Sequence, residues 1–457
     1  MNFGDIKTIH FVGIGGIGMS GLAEVLAHGG IVVSGCDAKR SPSTDLLTSR
    51  GIDVVIGHDP AHVEGKDLVV ITSAVKGEHP EVDEARIKGI RIMKRAELLG
   101  EIVNEKRSVG IAGTHGKTTT SAMVSMVLVE AGLDPTILVG GMVRNLQTNA
   151  KSGGGDLLVV EADEYDRTFH RLHPQIAVIT NIEADHLEYY GSFEAIIEAF
   201  RIFAGGVRRG GVVIGCTDDE HVARLLRHAE GEVVSYGLNE YADVRATNID
   251  FAEGHIRFEV PGVGFFKLFV PGEHNVQNAL AAIAVGRELG IDGHVIASAL
   301  AKFLGVDRRF QILGDYHGTL IVDDYAHHPT EISATLNAAR RGYPGRRVVA
   351  LFQPHLYSRT RDFAREFAEA MKAADVPIVA PIYAAREKPV EGTSSRLIAD
   401  AAPGIEFLDR SNAQIVNELR RRLQPNDIFI TMGAGDVHEV AEQLVRGASV
   451  SREGDVS

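Results

Sequence analysis

The sequence contains very little cysteine and no tryptophan. Among its 457 residues, only Cys36 and Cys216 are cysteines. Two cysteines exclude a disulfide framework and a metal site built from cysteine alone. We therefore expect the protein to work in a reducing compartment.

Long apolar runs and an excess of positive charge are also missing. No stretch of about 18 apolar residues occurs, so we expect no membrane-spanning helix. The first residues lack the basic and apolar regions of a signal peptide, so we expect no signal peptide. The 47 basic residues are outnumbered by 61 acidic ones, and the net charge of −14 argues against nucleic acid and anionic membranes as main partners. These absences predict a cytoplasmic protein, which we expect to be a monomer or a weak homodimer.

Short apolar segments alternate with helical patterns along the chain, which is typical of parallel sheets with crossover helices. A chain of 457 residues also exceeds what one hydrophobic core accommodates. We therefore predict an α/β protein of three domains. Residues 1–102 and 311–457 are predicted to be Rossmann-like domains, and residues 103–310 a central P-loop-type ATPase domain with a mostly parallel sheet.

The segment FVGIGGIGMSG, residues 11–21, follows a strand pattern and precedes a helical one. Gly13, Gly15 and Gly18 have the spacing of a dinucleotide-binding loop. In such loops, bare glycines let the backbone approach a pyrophosphate, and the helix N-terminus supplies N–H donors. Asp37 stands about where these folds place an acid that binds a ribose. The pattern predicts a phosphate-binding loop without identifying its ligand.

A second glycine-rich segment, GTHGKTTT, again lies between a predicted strand and a predicted helix. Its core, Gly116-Lys117-Thr118, has the features of a P-loop. Backbone N–H groups surround the phosphate, the lysine meets the β/γ charge, and the threonine hydroxyl ligates Mg²⁺. Ile111 stands where a strict Walker A pattern has glycine. Two phosphate loops in separate domains are more than a dehydrogenase or a simple ATPase requires.

The predicted strands after this second loop end in acidic residues. The first ends VVEADE, where Glu161 or Asp163 could hold a metal ion, as carboxylates at this sheet edge do in P-loop enzymes. The next ends TNIEADH, which brings Asp185 and His186 to the same edge. Spacing alone leaves a second Mg²⁺ site at these residues open.

Taken in order, these motifs resemble the Mur ligases, the ATP-dependent amide-forming enzymes of cell-wall peptide assembly. The resemblance runs from about residue 8 to residue 445 and is carried by GTHGKTTT, EADEYD, TNIEADHLEYYGS, GEHNVQNALAA, GVDRRF and DDYAHHPTEI. The segments FVGIGGIGMSGLAEVL and FQPHLYSRT are most similar to the branch that joins L-alanine to UDP-N-acetylmuramate. The family implies a first domain for the UDP sugar, a central domain for ATP and a last domain that closes over the amino acid.

The resemblance also implies a role for each set of residues. The UDP sugar would be bound by Gly13, Gly15, Gly16, Gly18, Met19, Ser20, Asp37 and Ser73. ATP would be bound by Gly113, Thr114, Gly116, Lys117, Thr118, Thr119, His274, Asn275, Asn278, Arg309 and Asp324. One Mg²⁺ would be held by Thr118 and Glu161, and a second by His186. The amino acid would be surrounded by Tyr325, His327, His355 and Arg359.

These residue types suit the reaction that the resemblance implies. Transfer of the γ-phosphoryl group of ATP to the sugar carboxylate makes an acyl phosphate, which the amine of the amino acid attacks with release of phosphate. The first step brings two anions together, so positive groups must converge on it. Lys117, Glu161, His186 and Arg309 are therefore the predicted catalytic residues, with Glu161 and His186 acting through Mg²⁺.

Two positions depart from the family pattern. Arg201 stands where most Mur ligases have a carbamylated lysine, so we expect its guanidinium to take the place of that lysine. Leu356 stands where some alanine-adding members have arginine. This leaves Arg359 as the expected partner of the alanine carboxylate, because a planar guanidinium bonds both oxygens.

Three alternatives remain open at this stage. Within the family, a recycling ligase would join a preformed murein tripeptide, rather than L-alanine, to UDP-N-acetylmuramate. An NAD-dependent oxidoreductase would use the loop at Gly13–Gly18 and leave the second loop without a role. A non-catalytic nucleotide sensor would bind ATP and turn it over slowly or not at all.

Overall fold

The computed structural model of the protein describes residues 6–72, 75, 77–385 and 387–454, without the side chains of residues 166, 188 and 448–454. Contacts within this part of the chain group it into two compact units. The first unit comprises the chain up to residue 247 together with residues 259–266 and 277–303. The second comprises residues 248–258, residues 267–276 and the chain from residue 304 onward.

Strands and helices alternate along both units, as the apolar pattern predicts. The strands are β1 (Thr8–Val12), β2 (Val32–Asp37), β3 (Asp53–Ile56), β4 (Leu68–Ile71), β5 (Arg91–Lys94), β6 (Arg107–Ala112), β7 (Thr136–Val143), β8 (Thr148–Lys151), β9 (Leu157–Glu161), β10 (Ile176–Ile179), β11 (Val212–Cys216), β12 (Glu232–Gly237), β13 (Val244–Arg245), β14 (Thr247–Ala252), β15 (His255–Val260), β16 (Gly264–Leu268), β17 (Gln311–Tyr316), β18 (Thr319–Asp324), β19 (Arg347–Phe352), β20 (Val376–Val379), β21 (Glu406–Phe407) and β22 (Asp427–Met432). The helices are α1 (Ile17–His28), α2 (Pro42–Ser49), α3 (Pro80–Ile87), α4 (Arg95–Glu105), α5 (Lys117–Glu130), α6 (Leu187–Tyr190), α7 (Phe193–Gly205), α8 (Glu220–His228), α9 (Glu273–Glu288), α10 (Gly293–Lys302), α11 (Pro329–Gly342), α12 (Tyr357–Asp362), α13 (Ala364–Met371), α14 (Arg396–Ala401), α15 (Asn412–Arg422) and α16 (His438–Gly454). Two 3₁₀ turns cover Pro60–Val63 and Tyr165–Arg171.

The first five strands form a parallel sheet in the order β3-β2-β1-β4-β5. The order reverses direction between β1 and β4, and open α/β sheets bind ligands at the carboxyl ends of the strands at such a point. The first glycine segment connects β1 to α1 at this place. α1 buries Leu22 and Leu26 in the same apolar core as Ile9 and Phe11 of β1, which fixes the start of the helix over the sheet.

The next sheet has the order β13-β12-β11-β10-β6-β9-β7-β8, and its described neighbours are parallel except for the antiparallel pair β7 and β8. β6 lies between β10 and β9. The carboxyl ends of these three strands carry the second glycine segment, the EADE segment and the TNIEADH segment. Their predicted convergence on one sheet edge is therefore confirmed.

Helix α1 also packs on β7 and β8 of this second sheet. Asn149 Nδ2 donates to the carbonyl of Ile17 at 3.2 Å. Gly21 lies so close to β8 that an added Cβ would stand 3.1 Å from the methyl group of Ala150. Both glycine segments thus belong to one compact unit. The predicted boundary between residues 102 and 103, which falls within α4, remains a prediction.

The second unit contains a sheet in the order β17-β18-β22-β19-β20-β21, in which β17 is antiparallel to β18 and the other neighbours are parallel. A separate three-stranded sheet has the order β14-β15-β16. The mixture of mostly parallel sheets and helices confirms the predicted α/β class. Within the described residues, no helix combines the length and apolar character needed to cross a bilayer.

Candidate active site

The first glycine segment makes a tight turn over the end of β1. The carbonyl of Cys36 accepts hydrogen bonds from the N–H groups of Gly13 and Ile14 at 2.9 and 3.0 Å. Gly13 has a φ angle of +81°, a conformation that favours glycine. Asp37 Oδ2 accepts the N–H of Gly15 at 2.9 Å, so this carboxylate shapes the loop. Its contact with a UDP sugar stays a prediction.

The beginning of α1 completes this loop. Gly16 is the N-cap residue, and its carbonyl accepts the N–H groups of Met19 and Ser20 at 2.9 and 2.8 Å. The hydroxyl of Ser20 donates to the carbonyl of Ile17 at 3.0 Å. Met19 and Ser20 therefore build the first helical turn, and their contact with the sugar nucleotide stays a prediction. Ser73, which was assigned to the same ligand, lies outside the described residues.

Arg95, which the sequence motifs did not single out, lies against this loop. Its Nη1 would stand 3.0 Å from a Cβ added at Gly18. Within the described chain its side chain has no ion-pair partner. The charge therefore reinforces the positive N-terminus of α1 where a pyrophosphate is predicted. Arg95 follows β5 directly, and a basic residue at the carboxyl end of a strand in this sheet is the signal that could have identified it.

The second glycine segment is held by the residues that follow β10. Asn181 Oδ1 accepts the N–H of His115 at 2.8 Å, and Thr180 Oγ1 donates to the carbonyl of His115 at 2.6 Å. A Cβ at Gly113, where φ is +144°, would lie 1.9 Å from Thr180 Oγ1, so only glycine fits there. Gly116, with a φ angle of +83°, is the N-cap of α5. The loop therefore surrounds a helix N-terminus, which attracts anions.

Lys117 is partly buried in this loop and its ammonium group is surrounded by oxygen atoms. Nζ donates to the carbonyls of Gly113 and Thr114 at 2.6 and 3.2 Å and lies 2.7 Å from Glu164 Oε2. Burial alone would lower the pKa of Lys117, but nearby carboxylates, with Glu164 foremost, raise it above its ordinary value. The side chain thus remains charged. Glu164 is not among the site residues predicted from the sequence.

Thr118 and Glu161 provide oxygen atoms that suit Mg²⁺. Thr118 Oγ1 donates to Glu161 Oε1 at 3.0 Å, and Glu161 Oε2 accepts the N–H of Gly140 at 2.7 Å. Hydroxyl and carboxylate oxygens are the ligands that this ion prefers. Because the pair adjoins the phosphate loop, these residues fit a metal bound together with a nucleotide. Thr114 is buried in the loop, and Thr119 lies in the first turn of α5.

His186 lies against the segment that follows β9. Its ring meets that of Tyr165 edge to face, with the centroids 5.1 Å apart, and its Nε2 lies 3.8 Å from Asp185 Oδ2. The backbone at His186 is left-handed, with a φ angle of +53°, which is uncommon outside glycine. The two strand ends thus come together as the sequence predicts. The role of His186 at a second metal ion stays a prediction.

Arg201 pairs with a neighbouring acid on its own helix. Its side chain is exposed on α7 and donates from two nitrogens to the Glu198 carboxylate at 2.7 and 2.6 Å. α7 buries Ile196, Phe200 and Phe203, and position 201 falls outside this stripe. The expected role of Arg201 in place of the carbamylated lysine stays a prediction.

In the second unit, Asp324 lies at the end of β18 and is buried. Its two oxygens accept the N–H groups of Phe310 and Ala326, both at 2.7 Å. Burial raises the pKa of Asp324 to about 6, although the nearby Arg309 opposes the rise. Arg309 itself lies 3.7 Å from a Glu331 oxygen. Asp324 therefore fixes the turn that presents Arg309, while the nucleotide contacts of both residues stay predictions.

Two asparagines assigned to the nucleotide hold the chain locally. Asn275, in the second unit, donates from Nδ2 to the carbonyl of Pro271 at 2.6 Å. Asn278, in the first unit, accepts the hydroxyl of Thr120 at 3.1 Å, and its Oδ1 would lie 2.7 Å from a Cβ at Gly116. Asn278 thus supports the start of α5, and nucleotide binding by either amide stays a prediction.

The His274 ring is expected to make stability depend on pH. Burial lowers its pKa from 6.5 to about 4, with a smaller contribution from Arg309. Between these values the unfolded chain binds a proton that the folded chain does not, so stability decreases as the pH falls through this window, by at most about 3 kcal/mol. His274→Gln should remove this dependence.

The unfolding temperatures of the wild type and of His274→Gln, recorded between about pH 4.5 and pH 7, measure this effect. His294→Gln serves as the control, because His294 is exposed on α10 and should behave like the wild type. Parallel curves for the wild type and His274→Gln would contradict the assignment.

The residues predicted to surround the amino acid form a chain of ring contacts in the second unit. The rings of Tyr325 and His327 lie 5.4 Å apart, and those of His327 and His355 lie 6.1 Å apart. His355 also stacks on Tyr383 at 6.1 Å and forms a β-bridge with it. The structure thus brings three of the four predicted residues together and adds Tyr383. No sequence motif marked this tyrosine.

The fourth residue, Arg359, lies on α12, which follows His355. The Glu387 carboxylate accepts the N–H and the hydroxyl of Ser358 at the start of this helix. Leu356, the N-cap residue, has a φ angle of +69°, which is costly for leucine. The contact of Arg359 with the alanine carboxylate stays a prediction.

Family models match three successive parts of the chain. The model described as "Mur ligase family, catalytic domain" matches residues 8–107, "Mur ligase middle domain" matches residues 111–286, and "Mur ligase, glutamate ligase domain" matches residues 308–435. The chain belongs to the Mur ligase family. Membership of this ligase family leaves the oxidoreductase alternative without support.

Individual Mur ligases are similar to this chain over nearly its whole length. The UDP-N-acetylmuramate–L-alanine ligase of Salinibacter ruber is 45% identical over 97% of this chain and 95% of its own length. That of Geobacter sulfurreducens is 43% identical over 99% of this chain and 100% of its own.

Two solved Mur ligase structures are also similar to this chain. The crystal structure of the Thermotoga maritima UDP-N-acetylmuramate–alanine ligase superposes with a TM-score of 0.81 at 30% identity, covering 97% of this chain and 99% of the other. A murein peptide ligase from Psychrobacter arcticus gives 0.70 at 25% identity, covering 96% and 98%. The TM-score and the sequence identity are thus both higher for the alanine ligase than for the peptide ligase.

Proposed function

We propose that this Mur ligase joins L-alanine to the carboxylate of UDP-N-acetylmuramate, using ATP and releasing ADP and phosphate, in the cytoplasmic synthesis of peptidoglycan precursors. The proposal rests on the identity of 43–45%, over nearly the full length, to proteins named for this reaction. The two glycine segments of the first unit support it. The reaction needs one site for the diphosphate of the sugar nucleotide and one for the phosphates of ATP.

The chemistry begins with attack of the sugar carboxylate on the γ-phosphoryl group of ATP. A carboxylate oxygen–phosphorus bond forms while the bond to ADP breaks, which gives an acyl phosphate. The uncharged amine of alanine then attacks the acyl carbon, phosphate leaves with the electron pair of the carbon–oxygen bond, and the proton lost from the nitrogen passes to the departing phosphate. Since the first step brings two anions together, catalysis depends on positioning and on neutralising charge.

In the first unit, the groups that neutralise this charge are already anchored. Lys117 is anchored by two loop carbonyls and Glu164, which occupy its three N–H groups, so its ammonium group would exchange one of these contacts for a γ-phosphoryl oxygen. Bound at Thr118 and Glu161, Mg²⁺ would neutralise charge on the phosphate oxygens. We further propose His186 as the ligand of a second metal ion.

In the second unit, Arg309 would add a further positive charge at the γ-phosphate, and Asp324 would bind the ribose of ATP. Tyr325, His327 and His355 would surround the alanine, with Arg359 bonding its carboxylate in a bidentate pair. The intermediate is prone to hydrolysis, so water must be kept from it. Alanine is small, and a pocket distinguishes one methylene by about 1–3 kcal/mol. Glycine and serine are therefore expected to react, but more slowly than L-alanine.

A phosphate-release assay with UDP-N-acetylmuramate and ATP tests the proposal. Turnover should require L-alanine, be slower with glycine or serine, and be negligible with the murein tripeptide. Faster turnover with the tripeptide would establish the recycling alternative instead. Absence of turnover with every amine, despite ATP binding, would favour the nucleotide sensor.

Arg95 is expected to contribute to binding of the sugar nucleotide. Arg95→Ala should raise the KM for UDP-N-acetylmuramate about 10- to 100-fold, because a charge-assisted hydrogen bond is worth about 1.5–3 kcal/mol. The KM values for ATP and L-alanine should stay within twofold or so of the wild type, since the predicted contact is made only by the sugar nucleotide. Steady-state kinetics with each substrate varied in turn measures the effect.

Arg91→Ala is the matched control for this variant. Arg91 lies on β5, four residues before Arg95, but its guanidinium is paired with Glu101 at 2.7 Å at the surface. Its removal should leave all three KM values unchanged. Equal behaviour of the two variants would show that Arg95 has no part in binding the substrate.

A further inference from the structure

A cluster of metal-ligating side chains lies in the first sheet and takes no part in the proposed reaction. We call it the His-Cys-Glu cluster; it consists of His10 on β1, Cys36 on β2, His62 in the 3₁₀ turn Pro60–Val63, and Glu81 on α3. One nitrogen, sulfur or oxygen atom from each of the four residues lies within 4.8 Å of those of the others. Residues from four separate elements thus converge on one point.

The atoms of the cluster already contact one another closely. Cys36 Sγ lies 2.8 Å from Glu81 Oε2, and His62 Nδ1 lies 2.7 Å from Glu81 Oε1. Around a tetrahedral Zn²⁺, with Zn–S near 2.3 Å and Zn–N or Zn–O near 2.0 Å, such pairs would be about 3.3–3.5 Å apart. These two distances would therefore increase by less than about 1 Å when the ion enters, which rotation of the side chains can provide.

The His10 side chain is the observation that distinguishes this cluster from an ordinary hydrogen-bond network. It is only 2% exposed, and its Nε2 has no hydrogen-bond partner, with Glu81 Oε2 at 3.6 Å. Its other nitrogen, Nδ1, contacts the hydroxyl of Ser34 at 3.0 Å. A histidine that ligates a metal has this arrangement, since an outer partner of the second nitrogen orients the ring. A buried nitrogen without a partner is otherwise costly.

We propose that the His-Cys-Glu cluster is a structural Zn²⁺ site. The donor set of one thiolate, one carboxylate and two imidazoles gives four ligands of the types that Zn²⁺ accepts. The charges balance, because the thiolate and the carboxylate together carry the two negative charges that neutralise the ion. Binding would displace the thiol proton of Cys36 and the hydrogen-bonding proton of His62, and both protons would leave to solvent.

A filled set of four protein ligands assigns the site a structural rather than a catalytic role, since a catalytic zinc keeps an open position. The cluster joins β1, β2, the 3₁₀ turn and α3. It also lies next to the first glycine segment, because the carbonyl of Cys36 accepts the N–H groups of Gly13 and Ile14. Bound metal would therefore hold two interior strands of the sheet and the base of the phosphate loop.

Metal replacement in the full-length protein tests the proposal directly. Purified protein that has been stripped with a chelator should bind about one Co²⁺ per chain and then show a thiolate-to-cobalt charge-transfer band. Added Zn²⁺ should remove this band by displacing the cobalt. Cys36→Ser should abolish the band. Cys216→Ser is the matched control, because Cys216 is the other cysteine and is equally buried, and this variant should keep the band.

Two further measurements keep the outcome independent of folding and of ligase activity. His10→Gln, which preserves a polar side chain at β1, should weaken Co²⁺ binding at least about tenfold while leaving the circular dichroism spectrum unchanged. Zinc should raise the unfolding temperature of the wild type and of Cys216→Ser but not of Cys36→Ser. Absence of a thiolate band in folded wild-type protein, or its persistence in Cys36→Ser, overturns the proposal whatever the ligase assay shows.

Discussion

Lys117→Ala is expected to reduce the rate of ligation by about 10³-fold or more while leaving binding of UDP-N-acetylmuramate nearly intact. Charge stabilisation of this kind in an enzyme site is worth about 10²–10³ per group, and we propose that Lys117 meets the γ-phosphoryl charge. Its removal also leaves the carbonyls of Gly113 and Thr114, which Nζ now binds at 2.6 and 3.2 Å, facing an anionic nucleotide.

The same substitution removes the partner of a buried carboxylate, so stability and catalysis must be separated. Glu164 lies 2.7 Å from Lys117 Nζ, and a buried charge left alone costs about 3–5 kcal/mol. The double variant Lys117→Ala/Glu164→Gln should recover much of the unfolding temperature without recovering activity. Lys151→Ala, which breaks the exposed pair with Asp134, should affect neither.

Single-turnover phosphate release and calorimetric titration with UDP-N-acetylmuramate measure the two properties. Recovery of ligation in the double variant would mean that Lys117 serves only to neutralise Glu164. Loss of UDP-sugar affinity with retained turnover would contradict the assignment of the two glycine segments to different ligands.

Glu161→Gln is expected to lower kcat at least about 10²-fold and to raise the Mg²⁺ concentration needed for half-maximal turnover. Glutamine has the same shape and can still accept the N–H of Gly140 with its carbonyl oxygen, but it lacks the negative charge that we propose attracts the ion to Thr118. The fold should therefore be preserved while the metal is lost. Phosphate release measured across a series of Mg²⁺ concentrations gives both quantities.

The control for this variant lies on the same helix as Thr118. Glu130, at the far end of α5, accepts hydrogen bonds from Ser298 and Lys302 and is remote in sequence from the loop. Glu130→Gln should leave the Mg²⁺ dependence unchanged. An unaltered Mg²⁺ dependence in Glu161→Gln as well would remove Glu161 from the metal site.

The loops of this protein could be predicted from sequence because glycine is required there by sterics. At Gly113 an added Cβ would collide with Thr180, and at Gly13 the backbone is left-handed. Such requirements leave a visible pattern of glycines between a strand and a helix. The three strand ends that meet at β10, β6 and β9 were predictable for a related reason, since parallel strands bring their carboxyl ends to one edge.

The choice among neighbouring acids could not be predicted in this way. The EADE segment offers three carboxylates in four residues, and Glu161 contacts Thr118 whereas Glu164 contacts Lys117. The difference is made by the 3₁₀ turn Tyr165–Arg171, which starts just after Glu164, and by the Tyr190 hydroxyl, which donates to the Glu164 carbonyl at 2.6 Å. Tyr190 is distant in sequence, so no local pattern contains this information.

At Arg201, spacing from a motif and the helical period point in different directions. Counting residues from His186 placed an arginine where the family has lysine. The helical period of Ile196, Phe200 and Phe203 identifies the buried face of α7 and leaves position 201 beside it. The Arg201 side chain bonds to its helical neighbour Glu198, a contact that spacing from His186 does not predict.

The packing of α1 on β7 and β8 bears on any attempt to exchange parts between members of this family. A chimera cut between the sugar-nucleotide and ATP segments would set a foreign helix against Ala150 and Leu138. At Gly21 a methyl group in place of the hydrogen would lie only 3.1 Å from Ala150 and 3.5 Å from Leu138. Recombination that respects the packing would transfer β7 and β8 along with the first sheet. The segment that can be exchanged with its packing intact is therefore larger than the segment predicted to bind one substrate.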